Sequence, residues 1–189
     1  MNIKQILKSS PLIAAAQHEN LKDAVESKVS SVLLMDGKLS KIMEKDFKIY
    51  NNKKTIFLHT DLVKGLSNDK EAVNFIIKYT NLSGIVSTKS TILKNAKKRG
   101  LITIQRIFLI DSKSLKSAIE SIRENEPDAV EVMPALANSI VEYIKNEIDK
   151  PVILGGLINN KEQILAGLKA GADGISFSKS DLWNVDLKK

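Results

Sequence analysis

The chain has 189 residues, 43% apolar and 27% charged, which suits one globular domain over residues 1–189 and excludes a wholly disordered chain. It has no cysteine, so disulfides, thiolate metal sites and cysteine nucleophiles are excluded, and its two histidines offer little for a histidine-based metal site. Lys and Arg outnumber Asp and Glu by 29 to 22, a net charge of +7 that favours anionic partners without identifying one.

The opening MNIKQILKSSPLIAAA is interrupted by Lys, Ser and Pro too often for a signal peptide, and no apolar run reaches membrane-spanning length. A cytoplasmic protein without a membrane partner is expected. Eight short aliphatic or β-branched runs then follow in order: 12–16, 32–35, 55–59, 84–87, 102–108, 129–133, 152–156 and 174–178. Several are apolar nearly throughout, as strands buried on both faces are. Between them lie segments of helical period. Leu21, Ala24 and Val25 form one face; Ala72, Val73, Ile76 and Ile77 another. Leu115, Ala118, Ile119 and Ile122 form the clearest face, after a cap at Ser114, and Ile140, Val141, Ile144 and Ile148 and then Ile164, Leu165 and Leu168 complete the series. Leu39 to Phe47 is a weaker candidate, and Gly100 and Gly171 stand where a left-handed residue would end a helix.

Strands alternating with helices predict a compact (β/α)8 TIM-type barrel of the phosphate-binding class, although about 250 residues is typical of that fold. The runner-up is an open doubly wound sheet, which lacks support because no G-x-G-x-x-G follows the first run. In a barrel the site lies at the carboxyl ends of the strands. That filter selects His59, Asp61, Ser87, Lys89, Gln105, Arg106, Glu131, Gly155, Gly156, Ser176 and Ser178, with Asp111 as a further strand-end candidate.

Gly155 and Gly156 close the seventh run and Ser176 and Ser178 the eighth, the two places where barrels recurrently hold phosphate. The plainer reading is a tight turn, with Ser178 or Ser180 capping the short segment around Trp183. Lys89 offers a cation across the mouth, or is a solvated surface lysine. Arg106 lies in a very apolar run and needs an anionic partner, either a ligand phosphate or Glu131 in a structural ion pair. His59 and Asp61 could form a base with its orienting acid, or His59 could be a neutral core histidine.

The stretches FLHTDLVKGLSND (57–69), GIVSTK (84–89), QRIFLIDS (105–112), EVMP (131–134), GGLI (155–158) and ISFSKSDLW (175–183) together resemble the glycerol uptake operon antiterminator family over nearly the whole chain. The resemblance implies a non-enzymatic barrel that answers to glycerol 3-phosphate, needs no cofactor, and binds leader mRNA so that a terminator hairpin does not stop transcription. By matching motifs it assigns Lys89, Gly155, Gly156, Ser176 and Ser178 to the phosphate side, and His59, Asp61, Arg106 and Glu131 to the glycerol hydroxyls. Two positions depart from the family pattern: Ala135 stands where Gly is usual after Pro134, and Phe177 where Thr is usual between the serines. Alanine tolerates a positive φ less well than glycine, so a different sixth loop is expected.

Lys94, Lys97, Lys98 and Arg99 form the densest basic cluster and are the candidate RNA contacts, against a solvated helix face as the alternative. Aromatics are only 5% of residues and none interleaves this cluster, so RNA binding rests mainly on the resemblance. An enzyme acting on a small phosphorylated metabolite is the alternative function, and a phosphate sensor acting through a protein partner or homo-oligomer is a third.

Overall fold

The computed structural model describes residues 2–135 and 140–187. Eight parallel strands close on themselves: β1 (Leu12–Ala16), β2 (Ser31–Leu34), β3 (Thr55–His59), β4 (Gly84–Ser87), β5 (Ile102–Phe108), β6 (Ala129–Met133), β7 (Val152–Gly155) and β8 (Gly174–Phe177). Each strand pairs with its neighbours in sequence, and β1 pairs with β8 in the register Leu12↔Ile175 and Ile13↔Ser176. That last ladder makes the sheet a barrel and excludes the open doubly wound alternative. The expected runs match the strands to within a residue. β7 stops at Gly155 because Gly156 turns to φ +82°, outside the β region.

Alternation along the strands sorts side chains into two layers. One face packs against the crossover helices α2 (Leu21–Glu26), α5 (Lys70–Tyr79), α6 (Ser90–Lys98), α7 (Ser112–Asn125), α8 (Val141–Glu147) and α9 (Lys161–Lys169), in a core that includes Val32, Ile56, Val130, Val152 and Ile175. The other face fills the lumen with Ile13, Leu33, Phe57, Val86, Ile104 and Ile153. The helical faces read from periodicity pack against the core as expected, Leu115, Ala118, Ile140 and Leu168 partly buried, except that Ile77 and Leu165 point outward.

The foot of the lumen is stoppered by α1 (Ile3–Ser9), which inserts Ile3, Ile6 and Leu7 into that inner cluster. The sequence reading tested this segment only as a signal peptide and missed the helix. Its signals are a capping box, with Gln5 N donating to Asn2 Oδ1 at 2.9 Å and Asn2 N to Gln5 Oε1 at 3.1 Å, and the i, i+3, i+4 spacing of the three apolar residues.

Two other boundaries need correction. Helix α7 starts earlier than expected, because Asp111 is its N-cap, accepting from Ser114 N at 2.7 Å; Ser114 is the third helical residue, not the cap. Asp111 is thereby committed to the helix. The candidate helix from Leu39 to Phe47 divides into α3 (Leu39–Ile42) and α4 (Lys45–Lys53). Ile42 and Phe47, five residues apart, would point about 140° apart on one continuous helix; the break lets both be buried. Gly100 and Gly171 have φ of +80° and +96°, the left-handed helix ends anticipated for them.

Candidate functional site at the mouth of the barrel

Arg106 on β5 and Glu131 on β6 are register partners and both face the lumen. Arg106 Nε donates to Glu131 Oε2 at 2.8 Å, with the side chains only 4% and 1% exposed. Across the missing side chain of β7, Ser176 Oγ on β8 donates to Glu131 Oε1. Gly155 makes this reach feasible: a Cβ there would stand 2.6 Å from Ser176 Oγ and 2.7 Å from Glu131 Oε1. A buried guanidinium and carboxylate are thus paired, and one carboxylate serves two strands.

Above this floor opens a cavity of about 410 Å³. Arg106, Glu131 and Ser176 line its base, with Gly156, Leu157 and Ser178 along the β7 and β8 rim. Gly156 and Leu157 both have positive φ, +82° and +60°, so the chain turns sharply as it leaves β7. A Cβ on Gly156 would meet only the mobile end of Met133, Cε at 2.7 Å, so it is the positive φ that holds the residue to glycine. Among the described residues, the backbone N–H groups of Leu157 and Ser178 donate to no backbone carbonyl.

Gln17, Asn20 and Met35, which the sequence reading did not single out, line the β1 and β2 side of the cavity. Lys179 was also missed. Its Nζ donates to Asn159 O at 3.1 Å, tying the β8 loop to the β7 loop, though it does not itself line the cavity. Its position directly after the ISFS run was the available signal. Ser178 and Ser180 cap nothing: Lys179 is the N-cap of the turn Ser180–Leu182, without a side-chain cap.

The remaining candidates lie elsewhere. His59 ends β3 as a buried residue whose Nδ1 has no hydrogen-bond partner. Burial, and then the Arg106 charge, push its pKa down to about 4, so the imidazole is neutral at ordinary pH. Asp61 makes no hydrogen bond with it. Its carboxylate accepts from Ser87 Oγ at 2.5 Å, Thr88 N at 2.8 Å and Thr88 Oγ1 at 2.7 Å, clipping the β3 loop to the β4 loop. Burial works to raise the Asp61 pKa, yet these bonds hold it below the usual carboxylate value. The His59–Asp61 base and acid are therefore not assembled. Lys89 is the N-cap of α6, with its backbone N–H on Ser87 Oγ at 3.0 Å, and does not line the cavity. Gln105 points outward, donating from Nε2 to Ser121 Oγ at 2.9 Å between β5 and α7.

Lys94, Lys97, Lys98 and Arg99 occupy the end of α6, which runs from the mouth back to the foot of the barrel. Lys94 lies 4.0 Å from Glu124, and Lys97 donates to the Glu126 carbonyl, so part of the cluster is engaged with α7.

The chain matches the glycerol-3-phosphate responsive antiterminator family over residues 12–183. It belongs to that family. It is similar to a glycerol uptake operon antiterminator regulatory protein from Listeria monocytogenes, with a TM-score of 0.86 and 28% identity over 92% of this chain and 95% of that one. A glycerol uptake operon antiterminator-related protein from Thermotoga maritima superposes with a TM-score of 0.77 at 28% identity, covering 91% of this chain and 96% of that one. The uncharacterized Escherichia coli protein YgcP is 29% identical over 189 residues, spanning 100% of this chain and 99% of its own. The family is one of antiterminator regulators, and the (β/α)8 barrel seen here agrees with these neighbours. Of its two departures, Ala135 is buried and free of positive φ, so the sixth strand's exit accepts alanine without strain. Phe177 turns into the outer core, where its carbonyl accepts from Trp183 Nε1 at 3.1 Å, leaving Ser176 and Ser178 on the lumen side.

Proposed function

We propose that this protein is a glycerol-3-phosphate-responsive, RNA-binding antiterminator of glycerol uptake and utilisation genes, acting in the cytoplasm and without a cofactor. The observation that carries the reading is the two-ended mouth cavity, whose floor is a neutralised Arg106–Glu131 pair and whose rim is a corner of uncommitted amides. The phosphate sits at the rim, against the Leu157 and Ser178 amides, the Ser178 hydroxyl and the Lys179 ammonium. The glycerol end points down, its hydroxyls donating to the free lone pairs of Glu131 and accepting from guanidinium N–H groups. Arg106 carries five such donors, of which Nε serves Glu131 and Nη2 meets only the Met35 sulfur at 3.3 Å.

Charge favours an uncharged hydroxylated tail. Arg106 and Glu131 already cancel, so a second carboxylate on the floor would bury a net negative charge. Family membership supports a regulator over an enzyme.

The test pairs titration calorimetry of glycerol 3-phosphate with a mobility shift on the leader transcript of the glycerol genes in the same genome. Saturable ligand binding and a shift strengthened by the ligand are expected. Ser178→Glu should weaken ligand binding at least tenfold by like-charge repulsion while the thermal transition is kept. Turnover of a phosphorylated compound, with no RNA shift, would replace the regulator by an enzyme.

A further inference from the structure

At the foot of the barrel, where strands begin and helices end, two adjoining grooves of about 430 and 510 Å³ run beside α1 and share Lys4, Asp149, Lys150 and Pro151. Lys8 and Lys145 line the first and Lys97 the second. Most of the carboxylates there are committed. Asp173 accepts from Lys145 Nζ at 3.0 Å and from Val152 N at 2.8 Å, and Asp128 accepts from Thr103 N and Oγ1 at 2.8 and 2.9 Å. Among the described residues, the amines of Lys4, Lys8, Lys97 and Lys150 enter no ion pair. Among the described residues that line the grooves, Asp149 is the one acid left to offset them. The cavity at the mouth, by contrast, is lined by one cation and one anion, Arg106 and Glu131, already joined.

Stability does not explain this placement. Basic residues in the last turn of a helix offset the macrodipole, which accounts for Lys8 and Lys97. Lys4 stands in the first turn of α1, where a cation is unfavourable and no acid accompanies it. Lys4 and Lys8 are also a like-charge i, i+4 pair on one exposed face, a further small cost to a helix of 7 residues. Lys150 lies in the loop before β7, two residues past Ile148, the C-cap of α8, and outside its last turn. Three unpaired cations converging on one groove, at a cost to the local helix, fit an anionic partner.

We propose that the foot of the barrel, centred on Lys4, Lys8 and Lys150 with Lys97 at its margin, docks the phosphodiester backbone of RNA, so that effector and RNA occupy opposite ends of the molecule. This rests on the RNA-binding part of the proposed function and adds the surface. The lysines supply backbone contacts, which fix affinity and salt dependence but not sequence. On this assignment Lys94 and Lys98, on the flank of α6, are peripheral.

The experiment measures fluorescence anisotropy of the labelled leader transcript across a salt series, with glycerol 3-phosphate at saturation. The protein is the full chain, as wild type, as Lys4→Glu/Lys8→Glu/Lys150→Glu, and as Lys94→Glu/Lys98→Glu. The triple variant should bind at least tenfold more weakly, and its salt slope should fall by about two for three lost single-strand phosphate contacts. Its melting temperature and its affinity for glycerol 3-phosphate should match wild type, and the glutamine triple should show the same direction of loss. The Lys94/Lys98 variant should change affinity less than threefold. Wild-type affinity and slope in the triple variant would overturn the foot while leaving RNA binding standing. If wild type itself binds no transcript, the RNA reading and this surface fall together. Lysine-dependent pelleting with phosphatidylglycerol vesicles would then give the foot to a membrane.

Discussion

Replacing Gly155 by Ala tests how the floor of the cavity is built. The new methyl would lie 2.6 Å from Ser176 Oγ, 2.7 Å from Glu131 Oε1 and 3.3 Å from Glu131 Cδ. Neither neighbour yields freely, because Ser176 and Glu131 are 3% and 1% exposed and Glu131 is held on its other oxygen by Arg106. Gly155 has no positive φ, so the backbone accepts alanine without strain and the cost is wholly steric. Turning the serine away from Glu131 forfeits a hydrogen bond to a charged group, about 1.5–3 kcal/mol. Parting the strands instead costs about 1–3 kcal/mol as overpacking. These are alternative routes, not a sum, and the reduced entropy of the unfolded alanine chain returns about 0.4–1 kcal/mol. A net loss of about 1–2 kcal/mol follows, a fall of about 2–8 °C in Tm for a chain of this size. Calorimetry should show that fall, and titration should show glycerol 3-phosphate binding weakened at least tenfold, because the carboxylate presented to the ligand has been displaced. Adding Ser176→Ala to Gly155→Ala should recover about 1 kcal/mol relative to additivity, since the closer clash is gone. A Gly155→Ala protein that melts and binds like wild type would refute the bridge across β7.

Replacing Arg106 by Met or Glu131 by Leu singly strands a buried charge and should cost about 3–5 kcal/mol in urea unfolding, whereas the double replacement should lie near wild-type stability; all three should lose the ligand, and a double variant that still bound it would remove the pair from the site. His59 has a folded pKa of about 4 against 6.5 unfolded. Neither state is protonated above pH 6.5, and as pH falls toward 4 the unfolded state takes up its proton first, so about 3 kcal/mol of stability is lost across that window. His59→Gln should remove this part of the slope in urea titrations at pH 7.5 and 4.5, and identical slopes would show that the imidazole is not buried neutral. Ile6→Ala should destabilise by about 2–5 kcal/mol if α1 plugs the lumen, and a change below about 0.5 kcal/mol would mean that it lies loosely on the barrel.

The strands were legible because parallel strands buried on both faces leave near-continuous aliphatic runs, each bounded by turn residues. Helix α1 escaped because 7 residues give only two turns of pattern, and its capping box uses Asn2 and Gln5 in place of the commoner Ser and Glu. Position along a strand is read from sequence more easily than direction. Strand-end polarity selected Arg106, Glu131, Ser176 and Ser178, which line one cavity, but equally Asp61, Lys89 and Gln105, whose side chains or backbone serve loop clips, a helix cap and a helix contact. Alternation from Arg106 would have turned Gln105 outward. Nothing local, however, shows that Asp61 is satisfied by Ser87 and Thr88, since those donors come from the next βα unit. Gly155 was chosen for the right reason in kind, close approach, but what approaches it within the chain is the Glu131–Ser176 bond.

A buried ion pair contributes little net stability, because the desolvation of both charges offsets their attraction. Apolar side chains fill the lumen below Arg106, from Ile104, Val86 and Phe57 down to Ile3 and Ile6. The same strands could have carried that packing up to the mouth, with less to satisfy. Charge begins where the cavity begins, and there a guanidinium retains unspent donors that only a polar ligand can use. The pair is neutral as a unit, so under the proposed function it would select hydroxyls without attracting a second anion, while the amides and Lys179 at the rim would take the phosphate. On the proposed function, recognition of glycerol 3-phosphate would thereby be divided between charge at the rim and hydrogen-bond direction at the floor. A free phosphate ion satisfies only the rim and glycerol only the floor, and neither should bind as the joined molecule does.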